Sequence, residues 1–222
     1  MPREAFERNL RQLQDDLLAL GTMVEQALVK SVDALKNRNL TEARRIIVAD
    51  KYINEKRFKI EEEALRLIAT QQPMAGDMRT IAGVLEIVTE LERMGDYAKG
   101  IAKINVLIGD EEPFIKPLID IPLMAEKARS MLRRGLDAFV NRDVEAAYQI
   151  PAQDDEVDQL YNQVYRELLA LIMANPQNID QATYLLWVAH NLERTADRVT
   201  NICERVVFTV TGEMKELEAN GF

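Results

Sequence analysis

Leu91-Glu92-Arg93-Met94-Gly95-Asp96 returns 101 residues later as Leu192-Glu193-Arg194-Thr195-Ala196-Asp197. An internal repeat makes each copy one supersecondary unit and halves the folding problem. It also sets a glutamate and an aspartate at i, i+4 in both copies, which turns two carboxylates to one side of a helix. The repetition continues outward from the hexapeptide. At an offset of 104, Asp33-Ala34 matches Asp137-Ala138, Asn37-Arg38 matches Asn141-Arg142, and Asp50 matches Asp154. Glu63, Leu65, Leu67 and Ile68 match Glu167, Leu169, Leu171 and Ile172 at the same offset. The offset then falls to 101, because the first Pro-containing turn (Gln71 to Thr80) is longer than the second.

Helical periodicity covers nearly the whole chain. It predicts six helices, over about 4–37, 41–70, 76–109, 117–141, 144–173 and 178–210. Asn37-Arg38-Asn39 and Asn141-Arg142-Asp143 are polar corners rich in N-cap residues. Gln72-Pro73 and Asn175-Pro176 end the second and fifth helices, since the residue before proline disfavours the α conformation. Gly212 suits the stop of the last helix. Gly109-Asp110-Glu111-Glu112-Pro113, with Pro117 and Pro122 beyond, reads as the linker between halves. The expected fold is therefore all-α: two tandem three-helix bundles, 1–112 and 113–222, each running up-down-up.

At 222 residues and 47% hydrophobic content, the chain can bury a sizeable core. A net charge of −9 argues against nucleic acid as a partner and against a polybasic grip on an anionic membrane. One cysteine, Cys203, excludes an internal disulfide and a cysteine-rich zinc site. The first ten residues, MPREAFERNL, lack the apolar core of a signal peptide. The longest apolar run, Leu168 to Ala174, is far short of a membrane span. A soluble, cytoplasmic protein is expected, one that meets a membrane only through partners.

Hairpin geometry locates the acids. In an antiparallel pair, residues equally far from the turn lie at one height. With Pro73 as centre, Asp50 lies level with Asp96, and Asn54 with Glu92. With Pro176 as centre, Asp154 and Asp158 fall within about one helical residue of Asp197 and Glu193, an offset of about 1.5 Å. Clustered carboxylates stay ionised together only beside a cation or a basic side chain. Oxygen donors of this kind suit magnesium, calcium or manganese, and iron as well. The second half reads as the stronger site. It has Asp158 where the first has Asn54, and Asn201 and Glu204 where the first has Gly100 and Lys103. A lysine at 103 would offset metal charge. Against the metal stands a plain alternative: Arg93 and Arg194 beside the acids pair with them, or the acids are simply solvated.

Other chemistry has little support. His190 precedes Glu193 in the order His-x-x-Glu, whereas a ferritin-type di-iron site uses Glu-x-x-His twice. Cys203, Tyr184 and Trp187 read as packing residues. No phosphate-cradling glycine loop, nucleophile elbow or kinase signature is present, so the chain reads as a non-enzyme.

The motifs DxxIN (Asp50 to Asn54), QQPxAxDMR (Gln71 to Arg79), LERMGDYAKGIAK (Leu91 to Lys103), DxxVD (Asp154 to Asp158) and LERTADRVTNICERVVFTVTG (Leu192 to Gly212) resemble those of the PhoU family. The resemblance runs in order along essentially the full length. It implies two three-helix bundles related by a pseudo-twofold axis. It implies a cytoplasmic negative regulator of phosphate uptake and of the phosphate-starvation response, set between a phosphate ABC importer's ATPase subunit and a sensor histidine kinase. A homodimer is implied too. The family's acidic motifs are associated with multinuclear metal clusters, and they fall here on Glu92 and Asp96, Asp154 and Asp158, and Glu193 and Asp197. Asn54 departs from the pattern: an amide oxygen can ligate but carries no charge. The ions so implied are iron, zinc, manganese or magnesium. Two other readings stay open, a metal-independent helical adaptor and a carboxylate-bridged metal enzyme or metal store.

Overall fold

The computed structural model describes residues 2–111 and 113–217. Seven α-helices are found there: α1 (Pro2–Lys36), α2 (Leu40–Gln71), α3 (Ala75–Ile108), α4 (Asp120–Asn141), α5 (Val144–Gln149), α6 (Asp154–Ala174) and α7 (Ile179–Thr211). None of the described residues lies in a strand. No described helix is long and apolar enough to cross a membrane. The anticipated junction at 112 falls on a residue outside those described.

The polar corners behave as their residues require. Asn39 and Asp143 cap α2 and α5, their side-chain oxygens accepting from the amides of Glu42 (3.0 Å) and Ala146 (2.9 Å). The arginine before each cap is left-handed, with φ 53° at Arg38 and 56° at Arg142. Both side chains then reach the end of the third helix of their own bundle. Arg38 Nη2 donates to the Gly109 carbonyl and Arg142 Nη2 to the Thr209 carbonyl, each at 3.2 Å. A cation there satisfies a free carbonyl and meets the negative end of the helix dipole.

One predicted helix is interrupted. The stretch 144–173 divides into α5, a 3₁₀ turn at Pro151–Gln153, and α6. Pro151 has no N–H to give, and its ring would collide with the carbonyl of Ala147 inside an α-helix. The break makes Asp154 the first residue of α6, whereas Asp50, its counterpart, lies inside α2. The fourth helix begins at Asp120 rather than 117 and carries Pro122 in its first turn, where an N–H is not needed.

The packing follows the repeat. α1, α2 and α3 pack together, as do α4, α6 and α7. α3 lies along α7, and α1 along α4, so the two bundles are fused side by side. One continuous core results, with Leu17, Leu28, Val88, Leu91, Met131, Leu192 and Val199 in it. α1 approaches α4 closely at Gly21, where a Cβ would stand 2.2 Å from Leu136 Cδ1 and push that side chain aside. Charge pins α3 to α7: Arg205 Nη1 lies 2.8 Å from Glu86, and Glu90 Oε2 accepts from Arg198 Nη1 (3.2 Å) and Asn201 Nδ2 (3.1 Å).

Candidate functional site

In the first bundle the acids have basic partners. Lys99 Nζ stands 2.6 Å from Asp50 Oδ2 and 3.7 Å from Asp96 Oδ1. One ammonium thus spans both aspartates, as their common height allows. Its pKa is raised, chiefly by the hydrogen bond to Asp50. Asn54 turns its amide nitrogen to Asp50, donating to Oδ2 at 3.2 Å. Arg57 lies 2.8 Å from Glu61 and 3.3 Å from Glu92 Oε1. Glu92 Oε2 has no hydrogen-bond donor, and Arg93 Nε is 4.0 Å from it. Lys103 is exposed, so the charge is offset by Lys99 instead. An ion at Asp50 would have to displace that ammonium, while Glu92 keeps one buried oxygen without a donor.

In the second bundle the most buried acid has no basic partner. Asp154 is 7% exposed and its Oδ1 has no hydrogen-bond partner. Burial pushes its carboxyl up to about 7, helped by the charges of Asp197, Asp158, Glu193 and Asp155. Glu193 is likewise pushed up to about 7, by burial and then by Asp197 and Asp158, with Arg194 opposing. Asp158 and Asp197 are also raised, burial being the leading cause in both, with Arg194, Arg198 and His190 opposing it at Asp197. The charge of Asp197 contributes to the shifts of Asp154, Asp158 and Glu193, so these carboxylates lie close enough to repel.

The nearby bases are divided: Arg194, Arg198 and His190 all act to lower Asp197, but none offsets the charge at Asp154. Arg198 is held across the bundle boundary by Glu90 and by the Tyr97 hydroxyl at 3.4 Å. Arg194 Nε stays 3.8 Å from Asp197. His190 Nδ1 is 3.2 Å from Glu193 Oε2 without the alignment of a hydrogen bond, on a half-exposed ring. A depression of about 320 Å³ opens beside the cluster, lined by Asp154, Asp197, Arg194, Arg198, Thr200 and Asn201.

This acid set has the donor chemistry of a cation site. It has buried oxygens lacking donors and carboxyls that burial and mutual repulsion hold protonated to near neutral pH. It is not a finished coordination sphere: among the described residues, no three His, Cys, Asp or Glu side chains converge tightly enough to hold an ion. Two of the sequence candidates stand somewhat apart. Asn201 borders the depression but gives its amide to Glu90. Glu204 is engaged elsewhere, its Oε1 accepting from the Leu217 amide at 3.0 Å.

Sequence reasoning missed Arg57 and Lys99. The signal was available: each lies three residues beyond a site position, Asn54 and Asp96, and so one turn along the same face. At the repeat offsets their counterparts are Tyr161 and Thr200. Cys203 is fully buried, with burial pushing its thiol up to about 12, in keeping with a packing role. Trp187 is not core; it is half exposed and meets Tyr184 edge-on, with ring centroids 5.9 Å apart.

Two fused three-helix bundles, each with an acid cluster between its second and third long helices, define a duplicated helical-bundle protein. The PhoU domain model matches residues 17–104 and 121–206, and the chain belongs to that family. It is 38% identical over 219 residues to the Clostridium acetobutylicum protein named "Phosphate-specific transport system accessory protein PhoU homolog", covering 98% of this chain and 99% of that one. A homologue of the same name from Rhizobium meliloti is 36% identical, over 96% of this chain and 90% of its own. The crystal structure of the phosphate transport system regulatory protein PhoU from Streptococcus pneumoniae superposes with a TM-score of 0.88 at 32% identity, covering 96% of this chain and 100% of that one.

Proposed function

We propose that this chain is a regulator attached to a phosphate-specific transport system and acts by binding rather than by catalysis. The observation that carries the reading is the end-to-end likeness, at 38% identity, to a protein named as an accessory of that system. In this reading the protein works in the cytoplasm as a homodimer. It docks on the importer's ATPase subunit, restrains uptake, and passes transport state to a sensor histidine kinase that controls the phosphate-starvation response.

A divalent or transition-metal ion (iron, zinc, manganese or magnesium) belongs to the second-bundle cluster. When bound, it would neutralise the charge that Asp154, Asp158, Glu193 and Asp197 impose on one another. The protein's own residues do the rest. Asp154 and Asp158 on α6 face Glu193 and Asp197 on α7, so relief of their repulsion firms the contact between these helices. Two firm bundles then offer one rigid surface to the importer.

The direct test is co-purification with the importer ATPase at high and low phosphate, using wild type and Glu193→Gln/Asp197→Asn. Retention that depends on phosphate supports the reading; no retention in either condition overturns it. Elemental analysis of the same proteins separates the metal-bearing regulator from a metal-independent adaptor. The adaptor is favoured if wild type holds sub-stoichiometric metal that neither Glu193→Gln/Asp197→Asn nor Glu92→Gln/Asp96→Asn changes.

A further inference from the structure

We propose that the first bundle carries its own cations, Lys99 and Arg57, in place of a metal, so that only the second bundle responds to metal. The ion-pair geometry is the ground for it. Lys99 bridges Asp50 and Asp96 from one nitrogen, at 2.6 and 3.7 Å, and Arg57 reaches Glu92 at 3.3 Å. Asp50 is as buried as Asp154, both 7% exposed. The difference lies in what meets them. Asp50 receives an ammonium and the Asn54 amide, whereas Asp154 keeps an oxygen with no donor at all.

Access is not the reason for the difference. Asp50 and Lys99 line a cavity of about 340 Å³ between α1, α2 and α3, so an ion could reach the aspartate if the lysine were absent. The repeat shows how little separates the two states. Tyr161 stands at the Arg57 position and Thr200 at the Lys99 position. The Thr200 hydroxyl is buried without a partner. A tethered cation has paid most of its ordering entropy in folding and cannot leave, while a free ion binds according to its concentration. The first bundle is thus a constitutive copy of the site and the second a conditional one.

The metal-dependent half of this rests on the cation reading given under Proposed function; the tethered cations stand on ion-pair geometry alone. The test exchanges the residues between halves in the full chain. Arg57→Tyr/Lys99→Thr gives the first bundle the second's residues, and Tyr161→Arg/Thr200→Lys does the reverse. Each protein is measured for bound manganese after equilibration with manganese(II), and for its thermal midpoint in EDTA and with manganese(II). Arg57→Tyr/Lys99→Thr is expected to bind more manganese than wild type, to melt about 5 °C lower in EDTA, and to recover with manganese. Tyr161→Arg/Thr200→Lys is expected to lose bound manganese and to melt higher in EDTA than wild type.

If Arg57→Tyr/Lys99→Thr cannot be purified, Tyr161→Arg/Thr200→Lys decides alone, and an EDTA midpoint no higher than wild type overturns the proposal. Unchanged manganese and unchanged EDTA midpoints in both variants overturn it as well. So does a wild type that loses as much manganese through Glu92→Gln/Asp96→Asn as through Glu193→Gln/Asp197→Asn. A wild type that binds no manganese, with the EDTA midpoints still moving in opposite directions, removes the cation reading and the metal half of the proposal but upholds the tethered cations.

Discussion

The two acid clusters occupy matching positions of the repeat, yet their most buried aspartates, Asp50 and Asp154, meet different surroundings. Asp50, Glu92 and Asp96 lie under Lys99 and Arg57. Asp154, Asp158, Glu193 and Asp197 face one another with Tyr161 and Thr200 at the corresponding positions. Burying acids in a helical bundle does not by itself make a metal site; what matters is whether the fold also supplies the counter-charge. Duplication lets the two surroundings coexist in one molecule.

The largest expected break in this contrast comes from removing one partner. Lys99→Met strands Asp50 in the first bundle and should cost about 3 kcal/mol in chemical denaturation. Thr200→Val, at the matching position, removes only an unpartnered hydroxyl and should change stability by less than about 0.5 kcal/mol. Equal costs would mean that the two sites are electrostatically alike.

The pH response should be next in size. A carboxyl whose pKa is higher folded than unfolded binds its proton more tightly when folded. Its stabilisation is complete below the ordinary carboxylate range and is lost as pH rises through the folded value. Asp154 and Glu193, both pushed up to about 7, should therefore make the metal-free protein melt several degrees lower at pH 8 than at pH 5. Asp154→Asn/Glu193→Gln should flatten that slope, and so should manganese(II). A melting profile in EDTA that is already flat would contradict the description of the cluster.

Much of this molecule can be read from its residues. The polar corners and the Pro-containing turns mark most helix ends, because a cap or a missing N–H acts locally. The common height of Asp50 and Asp96 follows from helical rise alone, and Lys99 touching both is its direct expression. Pro151 was equally visible, but the apolar period runs through it and hides the break. What spacing cannot supply is the competition for a long side chain. Arg194 and Arg198 sit beside the second cluster in sequence, yet Arg198 goes to Glu90 on another helix, and Glu204 turns to the Leu217 amide. Such choices depend on tertiary neighbours.

Smaller effects sharpen the comparison. Arg38→Ala and Arg142→Ala each remove a cation from the end of a third helix, at α3 and α7, and each should cost about 1 kcal/mol in equilibrium unfolding. A clear inequality would show that the caps have diverged as the acid sites have. The smallest effect concerns packing. A Cβ on Gly95 would meet Ile53 at 3.1 and 3.2 Å, and the second copy has Ala196 with the smaller Val157 at these positions. Gly95→Ala added to Ile53→Val should therefore gain about 0.5 kcal/mol over Ile53→Val alone, through helix propensity.

Trp187 is the single tryptophan of the chain, and it stands on α7 six residues before Glu193. Half exposed and edge-on to Tyr184, it is open to quenching and to small shifts of its surroundings. Its emission therefore comes from the conditional half alone, while the first bundle is spectrally silent at that wavelength. The molecule carries an intrinsic fluorophore about 9 Å along the helix from Glu193, so ion titrations and partner docking at that end can be followed without attaching a dye.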